Sequence, residues 1–340
     1  MRTGARAVAR KPVQRRRPPH RRPAVPAHHG HPARQRHIAH AIGAVAPLAI
    51  SALALAAPQA QPVPLPPPGR VVPAAPAAPG TQPPPPPTAG MDSPDCLTRY
   101  GDLLPTNGAD AKARETLVCR RTYVLAFDAD TRDPDWVMEH LSPADLAGTA
   151  KRSNAFRQDP FLKGADAGNW DYAGMHFDRG HQAPAGDARF TQKAMDDSFY
   201  FSNMAPQVGV GFNRGAWKYL EENVRAWVSC GGHRDVYVYT GPVYDPGGKA
   251  IGRDKVAVPR AFFKIVYDAQ TDRAVGFLLP NQAIGATIDL SLYVKPIADI
   301  EGLTGLTFFP HYDQRRQALL KASAGTPWGH TAQCKGDGGD

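Results

Sequence analysis

The body of this chain, from Asp92 onward, reads as one mixed α+β domain, and three observations predict it. Short runs of β-branched and aromatic residues recur, bounded by turn residues. One stretch carries apolar residues at helical spacing. Strand-like and helix-like stretches do not alternate regularly, which argues against a doubly wound parallel sheet. The region before Asp92 differs in kind: 21 of the 35 prolines fall in the first 90 residues, so the chain is not one uniform globular unit.

Residues 1–57 read as a basic leader. Its first 40 residues hold eleven Lys or Arg and no Asp or Glu. Residues 41–57 are apolar and rich in Ala and Leu, interrupted by Pro47. That length suits a signal-peptide core better than a membrane span of about 20 residues. Ala54-Leu55-Ala56 supplies the small residues of a cleavage site. The expectation is a periplasmic or secreted protein with no stable membrane insertion after cleavage; an uncleaved membrane anchor is the alternative. Residues 58–91 are Pro/Ala-rich, with Pro83 to Pro87 consecutive, and are expected to be a disordered spacer with extended polyproline II character.

Residues 92–340 are the folding part, about 250 residues, ample for one large core. The whole chain carries +9, but the body sets 28 basic residues against 31 acidic ones, a balance of −3. Net charge is therefore no argument for a nucleic-acid partner. All four cysteines lie in the body. In an exported chain that even number suggests two disulfides; three pairings are possible, and Cys96–Cys119 with Cys230–Cys334 is the one favoured.

Strands are expected over residues 121–127, 235–240, 261–267 and 274–279. A hairpin-like connection at 268–273 joins the last two. The clearest helix is expected over 214–228, where Trp217, Leu220, Val224, Trp227 and Val228 form one stripe. No internal repeat is visible. Gly209-Val210-Gly211 suits a loop before that helix better than a nucleotide cradle, because no parallel-sheet strand pattern precedes it.

Residues with chemical potential concentrate between 152 and 225. Asp178-Arg179-Gly180-His181 packs an acid, a cation, a flexible glycine and an imidazole together. That set suits proton transfer beside an anionic substrate. Asn213 stands at the expected helix start, where Asn is also a favoured N-cap. Glu221, eight residues on, would project about 80° from it around a helix axis, so the two can overlook one point. An amide oxygen and a carboxylate there are hard donors suited to Mg²⁺. The plainer role for Glu221 is an ion pair with Arg225 one turn on. His140, His176, His233, His311 and His330 lack such a setting and are assigned no role.

Taken together, these blocks resemble the DNA/RNA non-specific endonucleases. The likeness is carried by Asp178-Arg179-Gly180-His181, by Asn203 in Ser-Asn-Met-Ala-Pro-Gln, and by Asn213 and Glu221 in Asn-Arg-Gly-Ala-Trp-Lys-Tyr-Leu-Glu. It extends from about residue 97 to 310. The resemblance implies a ββα-metal (His-Me finger) nuclease with a mainly antiparallel central sheet flanked by helices. It implies a phosphodiester hydrolase acting on DNA and RNA with little sequence specificity, with a homodimer possible. His181 would be the general base and Arg179 a phosphate contact. Arg152 corresponds to an upstream arginine of the same kind. Asn203 would orient the histidine or touch substrate. Asn213 would be the direct ligand of one Mg²⁺, with Mn²⁺ a possible substitute, and Glu221 would hold that cation through water. The alternatives are a nuclease-like module that binds nucleic acid without cleavage and a nuclease toxin effector. With a slightly acidic body, binding should rest on a local positive site around Arg179, Arg152 and the metal.

Overall fold

The computed structural model describes residues 88–92, 96–108, 115–322 and 324–329. The basic leader, the spacer up to residue 87 and Cys334 lie outside the described residues. The described residues form twelve strands: β1 Thr88–Met91, β2 Glu115–Cys119, β3 Tyr123–Asp128, β4 Asp133–Leu141, β5 Phe177–His181 and β6 Met204–Val208 in the first half, then β7 Val236–Val243, β8 Ala250–Ile251, β9 Val256–Ala257, β10 Ala261–Asp268, β11 Arg273–Pro280 and β12 Val294–Lys295. Three helices exceed two turns: α1 Lys218–Ser229, α2 Ile297–Thr304 and α3 Gln314–Ala322.

Eight strands form one sheet in the order β1-β2-β3-β4-β7-β10-β11-β12. Every pairing is antiparallel except β1 with β2. The expected hairpin across 268–273 is present, with Asp268 opposite Arg273. All eight residues of β10 are buried, because both faces of the sheet are covered. Phe262 and Val266 face the α1 side, packing with Trp217, Leu220, Val224, Trp227 and Val228. Phe263, Ile265 and Tyr267 face the other way, against Ile297, Ile300, Phe308 and Leu320. Burying a large apolar side chain contributes about 1.5–3 kcal/mol, so the stripe that Trp217 opens and Leu220, Val224, Trp227 and Val228 of α1 continue is a principal anchor of that helix.

One strand starts later than expected, and another was not expected at all. The expected strand at 121–127 is Tyr123–Asp128, because Arg121 and Thr122 form the bend that brings Cys119 opposite Val124. Strand β4, which the alternation pattern did not reveal, contains Pro134. The proline sits beside a register shift between Ala126 and Phe127, a position that tolerates a residue without an N–H. Among the described residues no helix is long and apolar enough to cross a membrane.

The expected Cys96–Cys119 disulfide is present, tying the segment before β2 to the end of that strand. Cys230 is disulfide-bonded too; its expected partner Cys334 lies outside the described residues. The first bridge closes a loop of 23 residues, for which chain entropy predicts about 3 kcal/mol of stabilisation. Replacing both Cys96 and Cys119 by Ala is expected to lower the unfolding free energy by about that amount in a denaturant titration. An unchanged midpoint would show that the bridge adds nothing.

Candidate active site

A second, two-stranded sheet carries the chemistry. Strands β5 and β6 pair antiparallel, with Gly180 opposite Ala205 and His181 opposite Met204. Gly180 leaves room for the buried Gln207 side chain: a Cβ would stand 2.2 Å from its Cδ. After β6 the chain enters a bent segment, Gly209–Trp217, before α1 begins. Val210, Gly211, Arg214 and Gly215 leave helical dihedrals, Gly211 with φ of 84°. The Gly211 carbonyl also accepts hydrogen bonds from Ile284 and Gly285.

This corrects the expected helix start at 214. The residue preceding α1 is Trp217, and no side chain caps the helix. Asn213 is therefore not an N-cap, and its relation to Glu221 is not that of two positions on one helix. Three glycines in seven residues, at 209, 211 and 215, release the chain from the helix that its apolar stripe suggested.

The bend has a specific tie. Asn213 Nδ2 donates to Asp178 Oδ2 at 2.9 Å, and Arg214 Nε meets the same oxygen at 3.0 Å. One carboxylate thus joins β5 to the segment entering α1. With its nitrogen engaged, Asn213 keeps Oδ1 as the atom available to a cation. Glu221 rises from the first turn of α1 into the same space. Arg225, one turn beyond Glu221, donates to Asp187 Oδ1 at 2.9 Å. Behind Glu221, the buried Lys264 donates to Thr240 Oγ1 at 2.6 Å and lies 5.0 Å from the Trp217 ring centre. Burial lowers the Lys264 pKa, while the Glu221 carboxylate opposes that shift.

Asp178, Asn213, Arg214 and Glu221 line a cleft of about 720 Å³ together with Arg152, Arg179 and His181. Five of the six residues expected from the sequence, Arg152, Arg179, His181, Asn213 and Glu221, converge there. Their oxygen donors suit a hard divalent cation. Among the described residues no three His, Cys, Asp or Glu side chains form a metal cage, so a cation held by Asn213 would keep most of its waters.

His181 is only 9% exposed, with its ring edge-on to Phe156 and Phe199. Nε2 is sealed and makes no hydrogen bond within the described residues. Nδ1 is the nitrogen left to exchange a proton with the cleft, which requires the proton of the neutral ring on Nε2. Burial first, then the charges of Arg152 and Arg179, push the imidazole pKa down to about 3. The ring is therefore neutral at physiological pH, the form a base needs.

Arg179 donates to Asn169 Oδ1 at 2.6 Å and lies 3.8 Å from the Phe156 ring centre. Arg152 is exposed; its Nε donates to Asn154 Oδ1 at 3.0 Å, and its guanidinium lies 5.1 Å from the Phe199 ring. Both cations thus stack on the aromatic rings that hold His181. Asn203 stands apart. It is fully buried and does not line the cleft. Its amide donates to the carbonyls of Ala183 and Ser198 and accepts from Ala183 N, each at 2.9 Å. Its carbonyl accepts from Gln182 N. Of the two roles expected for it, orienting and touching substrate, this geometry supports orienting: it pins the backbone that follows His181.

The sequence reading missed Asn169, Phe156 and Phe199 as supports. The hint for Phe156 was its place in the 152–156 block. Asn169 and Phe199 gave no signal, since their partners are distant in sequence. The histidines assigned no role behave accordingly where they form side-chain bonds: His140 bonds Asp235 and His233 bonds Asp268, both away from the cleft. His330 lies outside the described residues.

Residues 101–315 match the family described as DNA/RNA non-specific endonuclease. The chain is 40% identical over 222 residues to nuclease C1 of Cunninghamella echinulata, covering 61% of this chain and 87% of that protein. It is 38% identical over 225 residues to mitochondrial endonuclease G of Homo sapiens, covering 62% and 75% respectively. In three dimensions it resembles a chain of the crystal structure of the EndoG/EndoGI complex. The TM-score is 0.55 at 35% identity, over 59% of this chain and 88% of that one.

The buried neutral imidazole has a consequence for stability. Its folded pKa of about 3 lies below the unfolded value near 6.5, so the unfolded chain binds the extra proton between these values. This group's contribution is complete above pH 6.5 and is lost as pH falls toward 3, by about 1.4 kcal/mol per pH unit inside that window. Between pH 6.5 and 4.5, denaturant unfolding of the native protein is therefore expected to weaken more steeply than that of His181→Ala. Parallel pH profiles would refute the shift.

Proposed function

The chain belongs to the DNA/RNA non-specific endonuclease family, whose members are nucleic-acid hydrolases, and on that premise we propose an exported, Mg²⁺-dependent endonuclease that cuts DNA and RNA with little sequence preference. The observation that carries this reading is the single cleft joining a neutral buried imidazole, two guanidinium groups, an amide oxygen and a carboxylate.

The chain's own residues have distinct tasks in phosphodiester hydrolysis. Arg179 and Arg152 hold the scissile phosphate by charge-assisted hydrogen bonds. His181 Nδ1 takes a proton from the water whose oxygen bonds to phosphorus as the P–O3′ bond breaks. Phe156 and Phe199 keep the ring in place, and Asn203 fixes the chain just beyond it. Asn213 Oδ1 would hold the cation directly and Glu221 would hold it through water. When bound, the cation supplies Lewis-acid stabilisation of the charge that builds on the phosphate and leaving oxygens. Every one of these contacts meets phosphate or water, groups common to DNA and RNA, and phosphate contacts carry no sequence information.

Export is supported by the leader composition and by two disulfide-bonded sites in the body. Mass spectrometry of the protein from its host is expected to show an N-terminus near residue 57 and no free thiol. A mature chain beginning at Met1 with reduced cysteines would overturn export.

The catalytic reading is tested by degradation of plasmid DNA and RNA. The expected outcome is cleavage of both that EDTA abolishes and Mg²⁺ restores. His181→Ala should lose about 10²–10⁴-fold in rate. Asn213→Ala should raise the Mg²⁺ concentration needed for half-maximal activity. Native-like cleavage by His181→Ala would sink the assignment.

A further inference from the structure

We propose that Trp170 and Arg253 form a nucleobase-stacking subsite on the rim of the cleft, which takes an unpaired base of the strand whose phosphate is cut. The inference rests on the hydrolase reading above and adds a base contact to it.

Trp170 is 43% exposed, whereas Trp136, Trp217 and Trp227 are at most 3% exposed. An exposed indole offers a flat apolar face to a ligand with a π-face. The ring is also held in one pose. Its Nε1 donates to Asp254 Oδ2 at 2.7 Å, and the Arg253 guanidinium lies 4.4 Å from the ring centre. Arg253 itself is 69% exposed in its side chain. Arg253 Nε also meets Asp254 Oδ1 at 3.6 Å, so one carboxylate holds both the indole and the guanidinium, and their two flat surfaces stand ready for a base to stack on.

Its position links it to the chemistry. Trp170 belongs to the one-turn helix Asn169–Tyr172, of which Asn169 and Tyr172 line the cleft. Asn169 is the residue that holds Arg179, so the indole is one residue from the support of a phosphate contact. A strand with its phosphate at Arg179 must run its neighbouring nucleotides across this rim or the opposite one.

The two halves of the subsite come from separate segments locked by one carboxylate. Buried Asp171 accepts from Gly168 N at 2.9 Å and from Asp254 N at 3.0 Å, so it fastens the Trp170 turn to the tip of the β8–β9 hairpin. Gly252, with φ of 68°, makes that approach possible, since a Cβ there would lie 2.4 Å from the Asp171 backbone. Such preorganisation lowers the ordering cost of binding. Every base has a π-face, so stacking here adds affinity without imposing sequence, and it favours single strands whose bases are free.

The test compares cleavage of a short single-stranded oligo(dA) with an abasic oligonucleotide of equal length, using the mature protein with Mg²⁺. For Trp170→Ala, KM for oligo(dA) is expected to rise about tenfold or more, with kcat little changed and the abasic strand cut as by the native protein. Trp170→Phe, which keeps a ring, should recover most of the loss. An unchanged KM for oligo(dA), or an equal loss on both strands, would overturn the subsite. Failure of the native protein to cut either strand would instead remove the hydrolase reading, and the subsite with it.

Discussion

The carboxylate of Asp178 governs the geometry of the site. It stands on β5, three residues before His181, and reaches the segment that enters α1. A single oxygen receives both the Asn213 amide and the Arg214 guanidinium. Gly209 leaves room for this contact: a Cβ there would fall 2.5 Å from Arg214 Nη2 and 3.0 Å from Asp178 Oδ1. Without this tie, nothing equivalent would decide which face of the Asn213 amide looks into the cleft. An amide ligand is only as good as its orientation, because the nitrogen end repels a cation. The ββ hairpin, the bend and the helix are thus one chemical unit, held together by the acid of the motif that also bears the base.

The same hairpin solves a second problem, which is how to keep an imidazole both neutral and poised. Burial against two phenyl rings removes water, and two guanidinium groups add repulsion, so both effects disfavour the imidazolium. A base so weakened takes protons poorly while the cleft is empty of anions. In the proposed reading, a phosphodiester seated on Arg179 and Arg152 would bring negative charge to those cations and offset their part of the shift, leaving the larger part that burial causes. Asn203 serves this arrangement from outside the cleft: its four backbone contacts fix residues 182, 183 and 198, each worth about 1 kcal/mol net.

Much of this was legible in the sequence, and the exceptions have physical causes. The hairpin of β10 and β11 and the stripe of α1 were visible because periodicity records which side chains face a core. Strand β4 was hidden by Pro134 and by burial on both faces, which erases alternation. The bend before α1 was hidden because its stripe begins at Trp217, within the bend, and helical periodicity masks the glycines beside it. The site residues were legible as types at characteristic spacing. Their supports were not, since Phe199 and Asn169 act through contacts that only the fold creates.

The electrostatics show how a slightly acidic body can hold a polyanion. Most cations near the sheet face carboxylates: Arg120 meets Asp92 and Asp159, Arg225 meets Asp187, and Lys193 meets Asp92 and Asp197. Their fields are spent within the protein. Arg179 is arranged otherwise, with a neutral amide as its hydrogen-bond partner and an aromatic face behind it. An amide steers a guanidinium without cancelling its charge, so positive potential survives where phosphate must sit. Net charge averages over these two kinds of arginine and hides the difference. On the proposed function, a grip on phosphate would rest on which partner each cation has rather than on the total charge.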